Sequence, residues 1–106
     1  MNESKVVAAL AALAHQHRLR IFRLLVKCGS SGLPAGEIAE RVGIGPTNMS
    51  FHLKELDRAG LLRATRDGRY VRYAVHVDGM RRLLSYLTED CCQGRPELCG
   101  SAFVGF

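Results

Sequence analysis

With 106 residues, the chain is long enough for one modest hydrophobic core and too short for two independent domains. Its 47% apolar and 24% charged residues are typical of a soluble globular protein, and it has neither a membrane-spanning apolar run nor a signal-peptide core, so we expect a cytoplasmic protein without a membrane partner. The formal net charge of +5 favours a polyanionic partner, although charge alone does not distinguish DNA from RNA.

Two amphipathic helices are predicted at the start of the chain. The first covers residues 4–15, where apolar residues recur at helical spacing at Val6, Leu10, Leu13 and Ala14. The second covers residues 18–28, with one apolar side made of Ile21, Leu24, Leu25 and Cys28. The glycine-containing segment that follows Cys28 predicts the end of this helix, because glycine readily adopts the left-handed capping conformation.

Two shorter helices with a glycine-containing turn between them are predicted next. The first covers residues 34–42 and the second residues 46–59. Pro46 suits the first position of the second helix, because that position needs no backbone N–H donor. The second helix has a core stripe made of Met49, Leu53 and Leu56. Two short helices joined by a tight turn form the helix-turn-helix pattern.

A β-hairpin is predicted after this pattern, with strands over residues 61–66 and 69–76 and Asp67-Gly68 as the turn. Counting back from that turn places Arg63 directly opposite Arg72. It predicts one face with Leu62, Ala64, Val71 and Tyr73 and the other with Arg63, Thr65, Tyr70 and Arg72. Like charges in that arrangement destabilise a strand pair, so we expect an anion such as the DNA backbone to lie over this face. A solvated basic hairpin is the alternative. In either case the hairpin would be the wing of a winged helix-turn-helix.

The last predicted helix covers residues 78–89, with an apolar stripe made of Met80, Leu83, Leu84 and Leu87. The first and last helices present more apolar surface than so small a core can cover, which predicts a homodimer through these two helices. The expected fold is therefore mainly α, a winged helix-turn-helix of about five helices with a small β-hairpin. Residues 1–90 would form this domain, and residues 91–106 a separate C-terminal segment and tail.

The DNA-binding candidates lie on the helix over residues 46–59, opposite its core stripe, and on the hairpin. N-terminal residues of a recognition helix contact base edges, which selects Thr47, Asn48 and Ser50, with Phe51 placed for a thymine methyl group. Lys54 and Arg58 are expected to contact phosphates. His52 is beside the core stripe and is either a packed histidine or a DNA contact. The basic residues of the hairpin are Arg63, Arg66, Arg69 and Arg72.

The sequence NMSFHLKELDRAGLL at residues 48–62, followed by RDGRYVRY at residues 66–73, resembles the signature of ArsR/SmtB repressors. The resemblance extends to HRLRI at residues 17–21 and covers most of the chain. It implies a dimeric winged-helix protein that occupies its operator DNA without inducer and dissociates when the inducer binds.

Three of the four cysteines, Cys91, Cys92 and Cys99, are close together near the C-terminus, whereas Cys28 is alone and is interpreted as a small buried apolar residue. In a cytoplasmic chain such a group indicates metal or redox chemistry more than a disulfide framework. Gly94 and Pro96 interrupt the helix there, so the thiols can converge. Three soft thiolates without a fourth ligand suit a trigonal, sulfur-binding ion better than zinc.

The group of cysteines also resembles the C-terminal cysteine arrangement of arsenite-responsive ArsR/SmtB members. This resemblance implies that Cys91, Cys92 and Cys99 bind the inducer As(III), or else Sb(III) or a trivalent organoarsenical, and we expect the three ligands to come from one subunit. No constitutive cofactor is expected. A disulfide or persulfide switch, another heavy-metal inducer and incidental thiols remain as alternatives.

Other classes of function have weaker support. The chain has no Ser/His/Asp set, no phosphate-binding glycine loop and no histidine close in sequence to the three C-terminal cysteines, so we predict that it is not an enzyme. A metal-storage protein would have no use for a helix-turn-helix with a basic hairpin. An RNA-binding module would instead need exposed aromatic side chains on a broader sheet.

Overall fold

The computed structural model describes residues 2–88. Two helices open the fold, α1 at Glu3–Leu13 and α2 at Gln16–Cys28. Side chains cap both: Asn2 Oδ1 accepts the Lys5 N–H at 2.8 Å, and His15 Nδ1 accepts the His17 N–H at 3.2 Å. The predicted helix over residues 4–15 is therefore shorter, because His15 leaves the helix to cap the next one.

The helix-turn-helix and the wing follow in the predicted order. After a 3₁₀ turn at Gly29–Ser31 come β1 at Leu33–Pro34, α3 at Ala35–Val42 and α4 at Pro46–Arg58. The wing consists of β2 at Leu62–Asp67 and β3 at Tyr70–Val75, and α5 at Val77–Thr88 is the last described element. The five α-helices and the small sheet of residues 2–88 form a winged helix-turn-helix. None of these helices is both long and apolar enough to cross a membrane.

The hydrophobic core lies where α2, α3 and α4 meet the base of the wing. Its largest fully buried side chains are Ile21, Leu25, Ile38, Met49, Leu53, Leu56, Leu61 and Leu62. Helix α1 packs on this core through Val6, Ala9 and Ala12, whereas Leu10, which belongs to the predicted apolar stripe, is 41% exposed. Small residues on the inner side of α1 allow close packing and leave larger apolar residues on its outer side.

The sheet is antiparallel, with strand order β1-β3-β2, so the wing has one more strand than predicted. In β1, Leu33 pairs with Tyr73 and Pro34 with Arg72. The approach depends on Gly32, which has a φ of +62° and whose Cβ, if present, would collide with the backbone of Tyr73. The strand attaches the start of α3 to the wing.

The predicted hairpin register is wrong, because the turn lies one residue later in the chain than predicted. The turn residues are Gly68 and Arg69, because the positive φ of 62° needed at the first turn position is met by Gly68. Arg63 consequently pairs with Ala74, and Thr65 with Arg72. The predicted faces are retained, but Arg63 and Arg72 are not directly opposite, so the argument that an anion must offset their repulsion does not hold.

Candidate nucleic-acid interface

Helix α4 has one buried side and one exposed side. The turn before it is set by Gly43, a left-handed C-cap with a φ of +78°, and Pro46 occupies the first turn of the helix. Met49, His52, Leu53 and Leu56 form the buried side. The predicted DNA-contact residues Thr47, Asn48, Ser50, Phe51, Lys54 and Arg58 are all exposed. The geometry therefore leaves this side of α4 accessible to the major groove of DNA.

His52 lies on the buried side of α4 and is 7% exposed. Its ring centroid is 4.6 Å from that of His15 and 5.8 Å from that of His17. Its Nδ1 accepts a hydrogen bond from Arg18 Nε at 3.1 Å. Burial lowers the pKa of His52, and the neighbouring His15, Arg18 and His17 lower it further. This placement favours the packed interpretation of His52 over a DNA contact.

The wing presents three of its four arginines to solvent. Arg63, Arg66 and Arg69 are exposed, which suits contacts with phosphates. Arg72 is half-buried, and its Nε and Nη2 donate to the carbonyl oxygens of Ser31 and Gly32, each at 3.2 Å. These bonds fix the loop before β1, so the Arg72 guanidinium has a structural role that sequence reasoning did not predict. No sequence pattern indicates this contact, because Arg72 and Ser31 are far apart in the sequence.

Sequence reasoning also missed Arg18, in the first turn of α2. Its guanidinium carbon is 5.5 Å from the centroid of the Phe51 ring, within the range of a cation–π contact. The same side chain donates to His52, so one residue of α2 contacts two consecutive residues of α4. The motif HRLRI at residues 17–21 contains Arg18, but the motif alone does not show which side chain it reaches.

The predicted inducer ligands Cys91, Cys92 and Cys99 lie outside the described residues. Cys28 is partly buried against the core, in agreement with its interpretation as a small apolar residue. Within residues 2–88, no group of three or more His, Cys, Asp or Glu side chains has the arrangement needed to hold a metal ion. The C-terminal cysteines therefore remain a prediction from the sequence.

Known proteins that resemble the chain share this architecture. Residues 13–64 match the family model of a helix-turn-helix domain. The transcriptional regulator CmtR of Mycobacterium tuberculosis is 36% identical over 89 residues, which is 84% of this chain and 73% of CmtR. The homodimeric winged helix-turn-helix domain Mb0332 of Mycobacterium bovis, a possible ArsR-family regulator, is 29% identical with a TM-score of 0.65, covering 84% of this chain and 82% of that one. The chain belongs to the ArsR family of transcriptional regulators.

One further solved structure is similar to this chain. A possible transcriptional regulator for arsenical resistance is 25% identical to this chain, with a TM-score of 0.66, covering 86% of this chain and 92% of the other. As a member of the ArsR family, this chain is a DNA-binding transcription regulator and not an enzyme.

Proposed function

We propose that this ArsR-family regulator is an arsenic(III)-responsive repressor. It binds operator DNA as a homodimer, and it dissociates when As(III) or Sb(III) binds the thiolates of Cys91, Cys92 and Cys99. The observation that carries the proposal is the combination of an exposed recognition helix and basic wing with three clustered thiols, the first of which comes three residues after the last described residue of α5.

The surface beside α4 supports binding to duplex DNA. The polar side chains of Thr47, Asn48 and Ser50 lie in the first two turns of α4, and the N-terminal residues of a recognition helix read base edges in the major groove. Lys54 and Arg58 extend this surface along the helix, and the exposed wing arginines flank it. The arrangement separates residues suited to base contacts from residues suited to phosphate contacts.

Exposed apolar side chains on α1 and α5 support the homodimer. Val7 and Leu10 on α1 are 58% and 41% exposed, and Leu87 on α5 is 51% exposed. The two helices also contact each other within the subunit, so they can form one continuous surface. The Mycobacterium bovis neighbour is homodimeric. A second copy on this surface would place two recognition helices on half-sites about 34 to 36 Å apart.

The position of the thiols supports a route from the ion to DNA. Cys91 and Cys92 follow α5 directly in the sequence, and α5 belongs to the proposed dimer surface. An ion that joins them to Cys99 would constrain the end of α5 and change the packing between subunits. The spacing of the recognition helices would then no longer match the operator. A coupling free energy of about 1 to 3 kcal/mol would weaken operator binding roughly 5- to 150-fold.

Fluorescence anisotropy of the reduced protein on its own promoter DNA tests the proposal. Arsenite is titrated into the complex formed by the wild type, by Cys92→Ser and by the control variant Cys28→Ser. We expect release from the wild type and from Cys28→Ser, with an apparent affinity loss of about 5-fold or more, and no release from Cys92→Ser.

The outcomes separate the candidate inducers. Tight, salt-sensitive DNA binding that arsenite and antimonite leave unchanged would contradict the proposed inducers while leaving a DNA-binding regulator. Release by an oxidant or a persulfide donor alone would assign the thiols to redox sensing. Stronger DNA binding with arsenite would contradict the direction of the response.

A further inference from the structure

Arg18 joins the start of α2 to the recognition helix. Its Nε donates to Nδ1 of His52 at 3.1 Å, and its guanidinium lies over the ring of Phe51 at 5.5 Å. The Phe51 ring is also 5.8 Å from that of His52 in an edge contact. Arg18 therefore connects a buried residue of α4 with its exposed neighbour.

The core does not hold the side chain of Phe51, because Phe51 is 56% exposed on the side of α4 that faces away from the core. An aromatic side chain with that exposure has no core packing to fix its rotamer. The guanidinium above its ring and the imidazole at its edge restrict it from two sides. The orientation of a candidate base-contact residue thus depends on a residue of another helix.

We propose that Arg18 is a positioning residue for operator recognition, which holds Phe51 and the first turns of α4 in the DNA-reading orientation as long as the imidazole of His52 is neutral. Protonation of His52 releases this contact and weakens operator binding. The inference rests on the proposed function, because it concerns the affinity for operator DNA.

The chemistry of Nδ1 makes the contact dependent on protonation. A neutral imidazole accepts a hydrogen bond at one nitrogen, whereas an imidazolium only donates. Protonated His52 would therefore lose the Arg18 bond and would face the Arg18 charge at the same distance. The released guanidinium could no longer restrict Phe51.

The groups around His52 in the described part of the chain oppose its protonation. His15 from the turn between α1 and α2, and His17 and Arg18 from α2, face it. On α4 itself, the carboxylate of Glu55 accepts from Arg58 at 3.3 Å. Burial first, and then His15, Arg18 and His17, lower the pKa of His52 below 6.5. The neutral form, and with it the Arg18 contact, is therefore present at pH 7 and is lost as pH falls through that lowered pKa.

Simple electrostatics predicts the opposite pH response. Protonation of histidines adds positive charge, and added positive charge strengthens binding to phosphates. A weakening of operator binding at lower pH therefore distinguishes the positioning contact from a general charge effect.

Anisotropy measurements on promoter DNA, at pH 7.5 and at the lower pH at which NMR of the imidazole nitrogens shows that His52 is protonated, test the inference with three variants. Arg18→Met removes the donor and one charge, and the control Arg20→Met removes one charge from an exposed position about 200° around the same helix. His52→Asn keeps an acceptor at the position of Nδ1 but does not titrate. Circular dichroism and urea unfolding verify that each variant is folded at both pH values.

We expect the wild-type affinity to fall about 3- to 10-fold between pH 7.5 and that lower pH, the size of one hydrogen bond. Arg18→Met should bind more weakly than Arg20→Met at pH 7.5 by a similar factor and lose the fall with pH. His52→Asn should have the same affinity at both pH values, whatever its affinity relative to the wild type. Equal affinities of Arg18→Met and Arg20→Met, or a wild-type affinity that does not fall when His52 is protonated, would overturn the inference.

Failure of the proposed function gives a different result. If the wild type does not bind its promoter DNA at pH 7.5, DNA binding itself is contradicted. In that case, NMR of the imidazole nitrogens in the protein without DNA tests the contact directly. The inference requires neutral His52 to carry its proton on Nε2, with Nδ1 as acceptor from Arg18. A proton on Nδ1 at pH 7.5 would overturn the inference.

Discussion

At the scale of single residues, Gly79 in the first turn of α5 shows how closely the last helix packs on the fold. Gly79 is buried, and its N–H donates to Nδ1 of His76 at 2.9 Å. A Cβ at this position would collide with the carbonyl oxygen of Gly60, in the turn between α4 and β2. The lack of a side chain therefore allows α5 to dock where the recognition helix ends.

We predict that Gly79→Ala lowers the free energy of unfolding by about 1 to 3 kcal/mol, because the overpacking of the Gly60 carbonyl exceeds the gain of up to about 1 kcal/mol in helix propensity. Gly36→Ala in α3 is the control, since a Cβ there has no neighbour within 4 Å. It should leave stability unchanged or raise it by up to about 1 kcal/mol. Urea unfolding measures both changes. A Gly79→Ala variant as stable as the control would show that α5 tolerates a shift away from Gly60.

His52, which lies against two other histidines, shows what a sequence can predict for one side chain. Its position beside the Met49, Leu53 and Leu56 stripe predicts partial burial, and the structure places it on the buried side of α4. Its partner Arg18 is 34 residues away in the chain. No periodicity within α4 contains that information, because the contact depends on how α2 crosses α4.

At the scale of elements, the wing combines arginines with different tasks. Arg69 is exposed in the turn between β2 and β3, whereas Arg72 donates to the carbonyl oxygens of Ser31 and Gly32. The first is available to a phosphate, and the second stabilises the attachment of β1. A charge count of the hairpin treats the two residues as equivalent.

We predict that Arg72→Met lowers the free energy of unfolding by about 1 to 2 kcal/mol, since two carbonyl oxygens lose a charged donor that is only half-buried. Arg69→Met should leave stability within about 0.5 kcal/mol and reduce by about one the slope of log affinity for DNA against log salt concentration. Urea unfolding and anisotropy at several salt concentrations measure the two quantities. Unchanged stability in Arg72→Met would contradict its structural role.

The elements also show why some features follow from sequence and others do not. The faces of β2 and β3 were predicted correctly because side chains alternate along a strand with a period of two. The register was not, because it depends on which residue takes the positive φ at the turn, and Gly68 takes it as the first turn residue. The two residues of β1 were missed, since so short a strand exists only through its pairing with β3.

At the scale of the whole molecule, no element in the described part of the subunit covers the exposed apolar side chains on the outer surface of α1 and α5. We predict that Val7→Glu converts the dimer to a monomer, because it places a charge among the exposed apolar side chains that include Leu10 and Leu87. Val26→Glu is the control, since Val26 is 48% exposed on α2.

Sedimentation equilibrium measures the mass of each variant. We expect a monomer for Val7→Glu and a dimer for the wild type and for Val26→Glu. A dimeric Val7→Glu, or a monomeric Val26→Glu, would place the interface elsewhere. DNA affinity should fall together with the dimer, because each subunit contributes one recognition helix to a two-part operator.

The predicted helix-turn-helix lies within the residues that the structure describes, whereas the predicted inducer ligands do not. The helix-turn-helix follows from periodicity and turn residues, and the structure confirms it. The inducer ligands Cys91, Cys92 and Cys99 follow from composition and resemblance, and they lie outside the described residues. The coupling between ion binding at these thiols and DNA binding at the recognition helix therefore has to be measured.

Thermodynamic linkage gives the most direct measurement of that claim. If arsenite weakens operator binding by a given factor, operator DNA must weaken arsenite binding by the same factor. Calorimetric titration of arsenite into the reduced protein, with and without saturating operator DNA, determines both affinities. We expect the affinity for arsenite to be about 5- to 150-fold lower in the DNA complex, and we expect Cys92→Ser to abolish arsenite binding. Equal arsenite affinities with and without operator DNA would contradict the account.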